Sequence, residues 1–243
     1  DRLPNLDLEM AGAERTLVVS GPNTGGKTVL LKAVGLLCAM AQSGIPPTAA
    51  AGSRFVLFDD FFADIGDEQS IEASLSTFSS HLRHLAEILQ SATPHSLVLV
   101  DELGSGTDPS EGAALGWAIL ESLTRRGACT LASSHLGALK ELATQESGVV
   151  NASLQFDADR LAPTYQFVKG IPGRSYGTSI AKRLALPADV VARAEERVPR
   201  LERDVAALLE RLEEQQRSLT ARGAELAELA EDAKTRSKRV ADP

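Results

Sequence analysis

Leu17-Val18-Val19-Ser20 is followed directly by Gly21-Pro22-Asn23-Thr24-Gly25-Gly26-Lys27-Thr28. The second segment has the spacing G-x-x-x-x-G-K-[ST], and it lies between a strand pattern and a helix pattern, as a P-loop does. Glycines leave backbone N–H groups free to surround phosphate oxygens, and the helix N-terminus adds partial positive charge. We therefore predict that Gly21–Thr28 bind ATP, with Lys27 on the β- and γ-phosphates and the Thr28 hydroxyl on Mg²⁺.

An apolar run that ends in two carboxylates follows further along the chain, as Ser96-Leu97-Val98-Leu99-Val100-Asp101-Glu102. Downstream of a P-loop, this pattern indicates a Walker B strand. We expect Asp101 to hold Mg²⁺ through water, and Glu102 to orient and deprotonate the attacking water. Only 74 positions separate Lys27 from Asp101, which leaves no room for the long insertion of SMC-type ATPases. The Leu-Ser-Gly-Gly-Gln segment of transporter ATPases is also absent from the sequence.

Short apolar runs alternate with longer helical patterns, which predicts an α/β fold with a mainly parallel sheet flanked by helices. The stretch 149–169 alternates apolar and polar residues and predicts an edge hairpin, and Pro187 separates two short helical segments after it. The predicted strands are Thr16–Ser20, Arg54–Phe58, Leu97–Val100 and Cys129–Ser133. The predicted helices are Gly26–Gln42, Ser70–Ser91, Ser110–Arg126 and Leu136–Ala143.

The composition is that of a globular protein with an acidic balance. The 243 residues carry a formal net charge of -8, so any contact with DNA is either local or, as we expect, made by regions outside this chain. Cys38 and Cys129 are too few for a disulfide framework, which favours a cytoplasmic protein. The apolar stretch 29–45 is short and contains charge, so a membrane span is not expected. We interpret the chain as a fragment of a longer protein.

From Val198 onward the pattern changes to a seven-residue repeat. This predicts a boundary between an ATPase domain over residues 1–198 and a heptad-bearing helix over residues 199–243. The repeat fits pairing in a coiled coil, a single amphipathic helix that folds back on the ATPase domain, or a solvated linker. The first positions of the repeat are Val198, Val205, Leu212, Leu219, Leu226, Ala233 and Val240.

The P-loop resembles that of the bacterial MutS family, and four further segments agree in order and spacing. Residues 75–81 (LSTFSSH) resemble the family's signature segment, and residues 101–109 (DELGSGTDP) its Walker B and D-loop. Residues 133–135 (SSH) resemble the segment with the switch histidine, and residues 173–177 (GRSYG) the C-terminal helical element. Residues 64–70 (DIGDEQS) and 105–112 (SGTDPSEG) favour the MutS-two branch within that family.

This resemblance implies a homodimeric ATPase in which Ser76 of one subunit reaches the ATP of its partner and His135 lies near the γ-phosphate. It also implies a DNA-binding protein, cytoplasmic and nucleoid-associated, that acts on branched or recombination DNA and suppresses homologous recombination. A C-terminal nuclease domain outside this chain and action on stalled ribosomes are further family expectations. By the same resemblance, Gln69 would line the metal site, although a polar residue at a helix start is an equal interpretation.

Two other functions fit the residues. One is the ATPase domain of a mismatch-repair MutS, and the other is a nucleotide-gated dimerisation module with little turnover. The aromatic residue that mismatch-repair MutS proteins place before the first strand to stack on adenine is missing, since the nearest residues are Arg2, Leu3 and Pro4. His81 and His84 lack further metal ligands in the pattern, and we interpret them as surface or packing residues.

Overall fold

The computed structural model describes residues 6–22, 25–66, 74–157, 160, 162–173 and 176–198, with the backbone alone for residues 74–77. Beyond these it describes residues 205, 207–212, 214–215, 218–219, 222–223, 226 and 229. The chain divides into two compact units, Asp1–Val191 and Ala192–Pro243. The first unit contains the sheet and the helices that surround it.

The first unit is built on a six-stranded sheet with the strand order β2-β3-β4-β1-β5-β6. All neighbouring strands run parallel except β5 and β6, which form the antiparallel hairpin that the alternating pattern predicts. The parallel strands therefore bring their carboxyl ends to one edge of the sheet, where ligands bind in open α/β folds. The strands are β1 (Thr16–Ser20), β2 (Asp60–Asp64), β3 (Ser96–Val100), β4 (Cys129–Ser133), β5 (Val149–Asp157) and β6 (Ala162–Lys169).

The helices agree closely with the predicted ones, with one change of type. The predicted helix over Leu136–Ala143 is a 3₁₀ turn over Gly137–Glu141 followed by a single α-helical turn. Asp108 begins the third helix by accepting hydrogen bonds from the N–H groups of Ser110 and Glu111, with Pro109 in its first turn. The α-helices are α1 (Lys27–Gln42), α2 (Ser74–Ser91), α3 (Pro109–Arg125), α4 (Leu142–Gln145), α5 (Gly177–Arg183) and α6 (Ala188–Arg197).

The predicted strand Arg54–Phe58 is wrong, because the strand that pairs with β3 is Asp60–Asp64. The backbone of Phe58 is hydrogen-bonded instead to the Gln42 side chain, as acceptor at 2.6 Å and as donor at 3.0 Å. Val56 and Leu57 are 65% and 71% exposed, so only the end of this apolar run, Phe58, enters the core. The strand begins with Asp60 and ends with Asp64, so it did not match the pattern of an apolar strand.

Successive residues of the central strands face opposite sides of the sheet, and each side has its own core. On one side Val18, Val98 and Ala132 pack with apolar residues of α2 and α3. On the other side Leu17, Leu99 and Leu131 pack with apolar residues of α1. The result is the three-layer α/β/α arrangement that the sequence predicts, with a sheet buried on both faces.

The residues of the second unit described between 205 and 229 are helical. Several apolar residues of the heptad pattern are exposed in the single chain, with Leu219 at 62%, Leu226 at 66% and Leu229 at 58%. The boundary at residue 198 and the pairing of this helix stay predictions. No helix within the described part of the chain is both long enough and apolar enough to cross a membrane.

Candidate nucleotide-binding site

The P-loop connects the carboxyl end of β1 to the first residue of α1. Gly21 has φ 138° and Gly26 has φ 90°, both in the left-handed region that favours glycine. Between them, the buried Gly25 donates its N–H to the Pro22 carbonyl at 2.9 Å, which tightens the turn. The loop therefore needs glycine at its first position and immediately before the lysine, as the motif predicts.

Lys27 is almost completely buried, with 3% of its surface exposed. Its Nζ donates to the carbonyl oxygens of Gly21 at 2.8 Å and Pro22 at 3.0 Å, so the ammonium lies across the loop. Burial lowers the pKa of Lys27, and the charges of Asp101 and Glu102 oppose that effect. A desolvated ammonium inside a glycine-rich loop fits a phosphate group, because the negative charge offsets the lost hydration.

The two predicted metal ligands lie next to each other. Thr28 Oγ1 donates to Asp101 Oδ2 at 2.5 Å, which joins the first turn of α1 to the end of β3. A hydroxyl and a carboxylate are hard oxygen ligands of the kind that Mg²⁺ prefers, usually with several waters retained. The residues present at this position therefore fit a magnesium ion bound together with a phosphate chain.

Glu102 follows Asp101 in an uncommon backbone conformation. Its φ is 49°, in the left-handed region that non-glycine residues rarely adopt. Its N–H donates to Ser133 Oγ at 2.9 Å and to Asp101 Oδ1 at 3.2 Å, and its side chain is exposed at the carboxyl edge of the sheet. Strained residues of this kind occur at functional sites, where surrounding contacts hold them.

The turn after Glu102 is packed too closely for side chains at two glycines. A Cβ at Gly112, in the first turns of α3, would lie 2.0 Å from the Gly104 carbonyl oxygen. Gly104 itself has φ 83°, and a Cβ there would lie 2.5 Å from the Gly112 carbonyl oxygen. The segment after the Walker B acids is therefore fixed against α3 by direct backbone contact.

His135 lies two residues beyond β4, the strand between β3 and β1. Its side chain is exposed, whereas the neighbouring Ser134 is 2% exposed and donates to the Leu103 carbonyl at 3.0 Å. The buried serine fixes the segment that carries the histidine against the residues after β3. His135 therefore follows the central strand at the same sheet edge as the P-loop and the Walker B acids.

The first turns of α2 contact this edge at two points. The Phe78 side chain packs against Gly106, where an added Cβ would lie 3.4 Å from Phe78 Cβ. One turn later, His81 Nδ1 lies 2.6 Å from Asp64 Oδ2, while His84 Nδ1 is 3.7 Å from the other carboxylate oxygen. His81 is therefore a packing residue that joins α2 to β2, and the more exposed His84 is peripheral.

The segment after β6 returns to the start of the P-loop. The Gly173 N–H donates to Ser20 Oγ at 2.7 Å, and a Cβ at Gly173 would lie 2.6 Å from the Ser20 carbonyl oxygen. Lys140 Nζ donates to the Gly173 carbonyl at 2.6 Å, and burial lowers the pKa of this lysine. The P-loop, the 3₁₀ turn and the segment before α5 are thus held together at one point.

Comparison with known proteins agrees with this geometry. Residues 17–202 match the family model described as MutS domain V. The chain belongs to the MutS family. A protein named Endonuclease MutS2 from Gemmatimonas aurantiaca is 68% identical over 203 residues, which are 84% of this chain and 25% of that protein. Proteins of the same name from Lactococcus lactis subsp. cremoris (51% identical, 88% of this chain, 27% of that protein) and Pelotomaculum thermopropionicum (50%, 96% and 30%) also match.

These relatives support the MutS-two branch of the MutS family, as the sequence motifs predict. The chain spans between a quarter and a third of the length of the relatives it matches. It therefore corresponds to the MutS ATPase domain. The activities of the complete relatives belong to proteins that are three to four times as long.

The structure brings together the MutS motif residues that are far apart in the sequence. Lys27, Thr28, Asp101 and Glu102 lie at one site, and His135 follows the strand between their elements. The other predicted site residues cannot be placed in the same way. The described part of the chain does not include the side chain of Ser76 or the residues Asn23, Thr24 and Gln69.

Two residues of the MutS site were missed by sequence reasoning. Tyr165 in β6 has φ 55° and is 39% exposed, and a Cβ at Gly26 would lie 3.0 Å from its ring. Its exposed ring therefore lies beside the P-loop, although the expected aromatic position was before β1. Ser133, the last residue of β4, contacts both Walker B acids. Ser133 lies in the 133–135 segment that resembles the switch-histidine segment, but that motif did not indicate its contacts with the two acids.

Proposed function

We propose that this domain binds Mg-ATP in the P-loop and hydrolyses it in a homodimer. The observation that carries the proposal is the hydrogen bond between Thr28 and Asp101, which joins the Walker A and Walker B motifs. The two motifs converge at one edge of the sheet, an arrangement that suits a metal–phosphate complex. Such pre-organisation lowers the free-energy cost of binding.

Binding of the triphosphate depends on the loop and its lysine. The backbone N–H groups around Gly25 and Gly26 would donate to phosphate oxygens, and the N-terminus of α1 favours the same negative charge. The Lys27 ammonium would exchange its bonds to loop carbonyls for bonds to the phosphates. That exchange is favourable because the lysine is already desolvated.

Hydrolysis depends on residues at the carboxyl ends of β3 and β4. Mg²⁺, when bound by Thr28 and Asp101, supplies positive charge that neutralises the developing charge on the phosphate oxygens. The Glu102 carboxylate orients a water molecule for in-line attack and accepts its proton. His135 lies beyond the neighbouring strand and would donate to the γ-phosphate.

Dimerisation completes the site in this proposal. Ser76 lies in the first turn of α2, two residues before Phe78, which packs on Gly106 beside the Walker B segment. In this proposal a second subunit docks on the face that carries this end of the helix. We expect Ser76 of each subunit to reach the triphosphate held by its partner, so that ATP binding closes the dimer and hydrolysis opens it.

We further propose that Tyr165, whose place beside the P-loop the sequence did not reveal, contacts the base of the nucleotide. Its exposed ring beside Gly26 gives the purine a surface for stacking, and base–aromatic stacking contributes roughly 1–3 kcal/mol. This contact supports a preference for ATP over a bare triphosphate.

The whole protein, by its likeness to the Endonuclease MutS2 relatives, is proposed to be a cytoplasmic, nucleoid-associated DNA-binding nuclease. We propose that it acts on branched recombination DNA and suppresses homologous recombination, with a further action on stalled ribosomes. The acidic balance of this chain, net charge -8, supports DNA contacts made by regions outside it. The names of the relatives favour this branch over a mismatch-repair MutS.

A nucleotide-gated dimerisation module is the second candidate. The exposed apolar side chains of Leu219, Leu226 and Leu229 favour it, because such a seam is buried when two helices pair. In that case nucleotide binding would control the association of two subunits, and ATP hydrolysis would not be needed for the function.

Phosphate release measured over a range of protein concentrations separates the two. A shared site predicts that the rate per subunit rises with concentration and reaches a plateau as light scattering detects dimer. A rate per subunit independent of concentration would contradict the shared site. Negligible release with ATP-driven dimerisation would establish the module.

A further inference from the structure

The Ser133 side chain lies at the centre of the Walker B segment. It ends β4, it is fully buried at 0% exposure, and β4 is the direct neighbour of β3. Its Oγ donates to Asp101 Oδ1 and accepts the Glu102 N–H at 2.9 Å. Its main-chain carbonyl accepts the Leu103 N–H at 2.9 Å. One residue thus binds three consecutive residues after β3.

These bonds determine which oxygen of Asp101 is available to a metal. Oδ1 is occupied by the Ser133 hydroxyl and by the Glu102 N–H at 3.2 Å. Oδ2 is the oxygen beside Thr28 Oγ1, at 2.5 Å. Without the serine hydroxyl, Oδ1 would keep only the longer bond from the Glu102 N–H, and the carboxylate would be freer to rotate. Partners of a metal-binding carboxylate orient it and tune its affinity in this way.

The same hydroxyl supports the backbone of Glu102. That residue has φ 49°, a conformation that persists only where neighbouring contacts hold it. The hydrogen bond from its N–H to Ser133 Oγ is such a contact. The orientation of both acids therefore depends on one hydroxyl group.

We propose that Ser133 is a positioning residue that orients Asp101 toward the magnesium ion and holds Glu102 in its left-handed conformation. The proposal rests on the proposed function of the site as a Mg-nucleotide site. Ser133 touches neither nucleotide nor metal in this scheme, and it acts through the two carboxylates.

Ser134 provides the matched control. It is buried to a similar extent, at 2% exposure, and it makes an equivalent hydrogen bond, from Oγ to the Leu103 carbonyl at 3.0 Å. Neither described hydrogen bond of its hydroxyl involves a Walker B carboxylate. A general loss of packing in this segment would affect Ser133→Ala and Ser134→Ala alike.

The experiment compares Ser133→Thr with Ser133→Val, which have nearly the same shape and differ in the hydroxyl group. Mn²⁺ is titrated by electron paramagnetic resonance into the full chain with saturating ADP, so no hydrolysis is needed. We expect Ser133→Thr and Ser134→Ala to bind Mn²⁺ like the unmodified protein. Ser133→Val should bind it about tenfold more weakly, the lower end of the range for partners of metal ligands. ADP affinity in EDTA should be unchanged throughout.

Equal Mn²⁺ affinity of Ser133→Thr and Ser133→Val would overturn the proposal. So would a loss of Mn²⁺ affinity in Ser134→Ala as large as that in Ser133→Val. The third contradicting result is a loss of metal-free ADP affinity that matches the loss of Mn²⁺ affinity. Melting temperatures identify any variant that does not fold, and Ser133→Ala replaces a valine variant that fails. If the unmodified chain binds neither ADP nor Mn²⁺, it is the proposed function that fails.

Discussion

Thr28 Oγ1 donates a hydrogen bond to Asp101 Oδ2 at 2.5 Å, although the two residues are 73 positions apart in the sequence. The bond connects the first turn of α1, which follows β1, to the end of β3, and β4 lies between these two strands in the sheet. Because a P-loop threonine and a Walker B aspartate share one ion in phosphoryl-transfer sites, their direct contact is the geometry from which the following predictions start.

Replacing Lys27 by alanine removes the buried ammonium and should weaken ATP binding by at least about tenfold, since a hydrogen bond to a charged group contributes about 1.5–3 kcal/mol. Isothermal titration calorimetry measures the change. Lys32→Ala is the control, because Lys32 lies on the same helix with an exposed side chain. Unchanged affinity in Lys27→Ala would contradict the assignment of the loop.

Glu102→Gln should keep ATP affinity and slow hydrolysis by about 10²- to 10⁴-fold, the usual contribution of a general base. Since hydrolysis opens the dimer in our proposal, this variant should accumulate as a dimer with Mg-ATP, as measured by light scattering. The exposed Glu87 on α2 gives the control Glu87→Gln. A variant that stays monomeric at saturating Mg-ATP would argue against the closing step.

Ser76→Ala should spare ATP binding and reduce phosphate release, and mixing experiments test whether the serine acts across the interface. In a mixed dimer of Ser76→Ala and Lys27→Ala subunits, one site combines an intact lysine with an intact serine only if the serine comes from the partner. We therefore expect the mixture to regain activity that neither variant has alone. Ser79→Ala, from an exposed position on the same helix, is the control. No recovery, with mixed dimers shown by mass spectrometry, would place the serine in its own subunit.

Tyr165→Ala should weaken ATP binding by roughly tenfold, because stacking of a base on an aromatic ring contributes about 1–3 kcal/mol. Tyr165→Phe keeps the ring and should bind ATP normally. Inorganic tripolyphosphate has no base, so its affinity should be the same in all three proteins. If tripolyphosphate binding falls as much as ATP binding, the tyrosine shapes the P-loop and does not contact the base.

Gly112→Ala should destabilise the domain by about 3 kcal/mol or more, because its methyl group would lie 2.0 Å from the Gly104 carbonyl oxygen and overpacking against backbone is poorly relieved. Urea unfolding followed by circular dichroism measures the change. Gly137→Ala, with no atom within 4 Å of the added carbon, should change stability by less than about 0.5 kcal/mol. Similar stability of both variants would show that α3 can shift away from the turn.

The parts of the site that could be predicted from sequence are those with local patterns. The P-loop and the Walker B strand each lie within one continuous segment, so their strands, loop and helix follow from short motifs. The strand Arg54–Phe58 was placed wrongly because a side chain, Gln42, bonds the backbone of Phe58 in place of a neighbouring strand. The periodicity of apolar residues in the sequence does not indicate such a hydrogen bond.

Contacts made at the site by residues from other strands could not be predicted from the motifs, even for Ser133, which lies within the 133–135 segment. Tyr165 approaches Gly26 only because β6 is the edge strand that pairs with β5, and β5 lies beside β1. Ser133 reaches Asp101 only because β4 lies beside β3. Both relations require the strand order, which no single segment encodes.

The hydrogen bond between Gly173 and Ser20 couples the start of the P-loop to the segment that leads into α5. Since the glycine touches main chain with no space for a methyl group, displacement of the phosphate loop at its first residue must also displace the segment that leads into α5. A fluorophore attached at Leu184, which is 63% exposed at the end of that helix, would therefore report such a displacement.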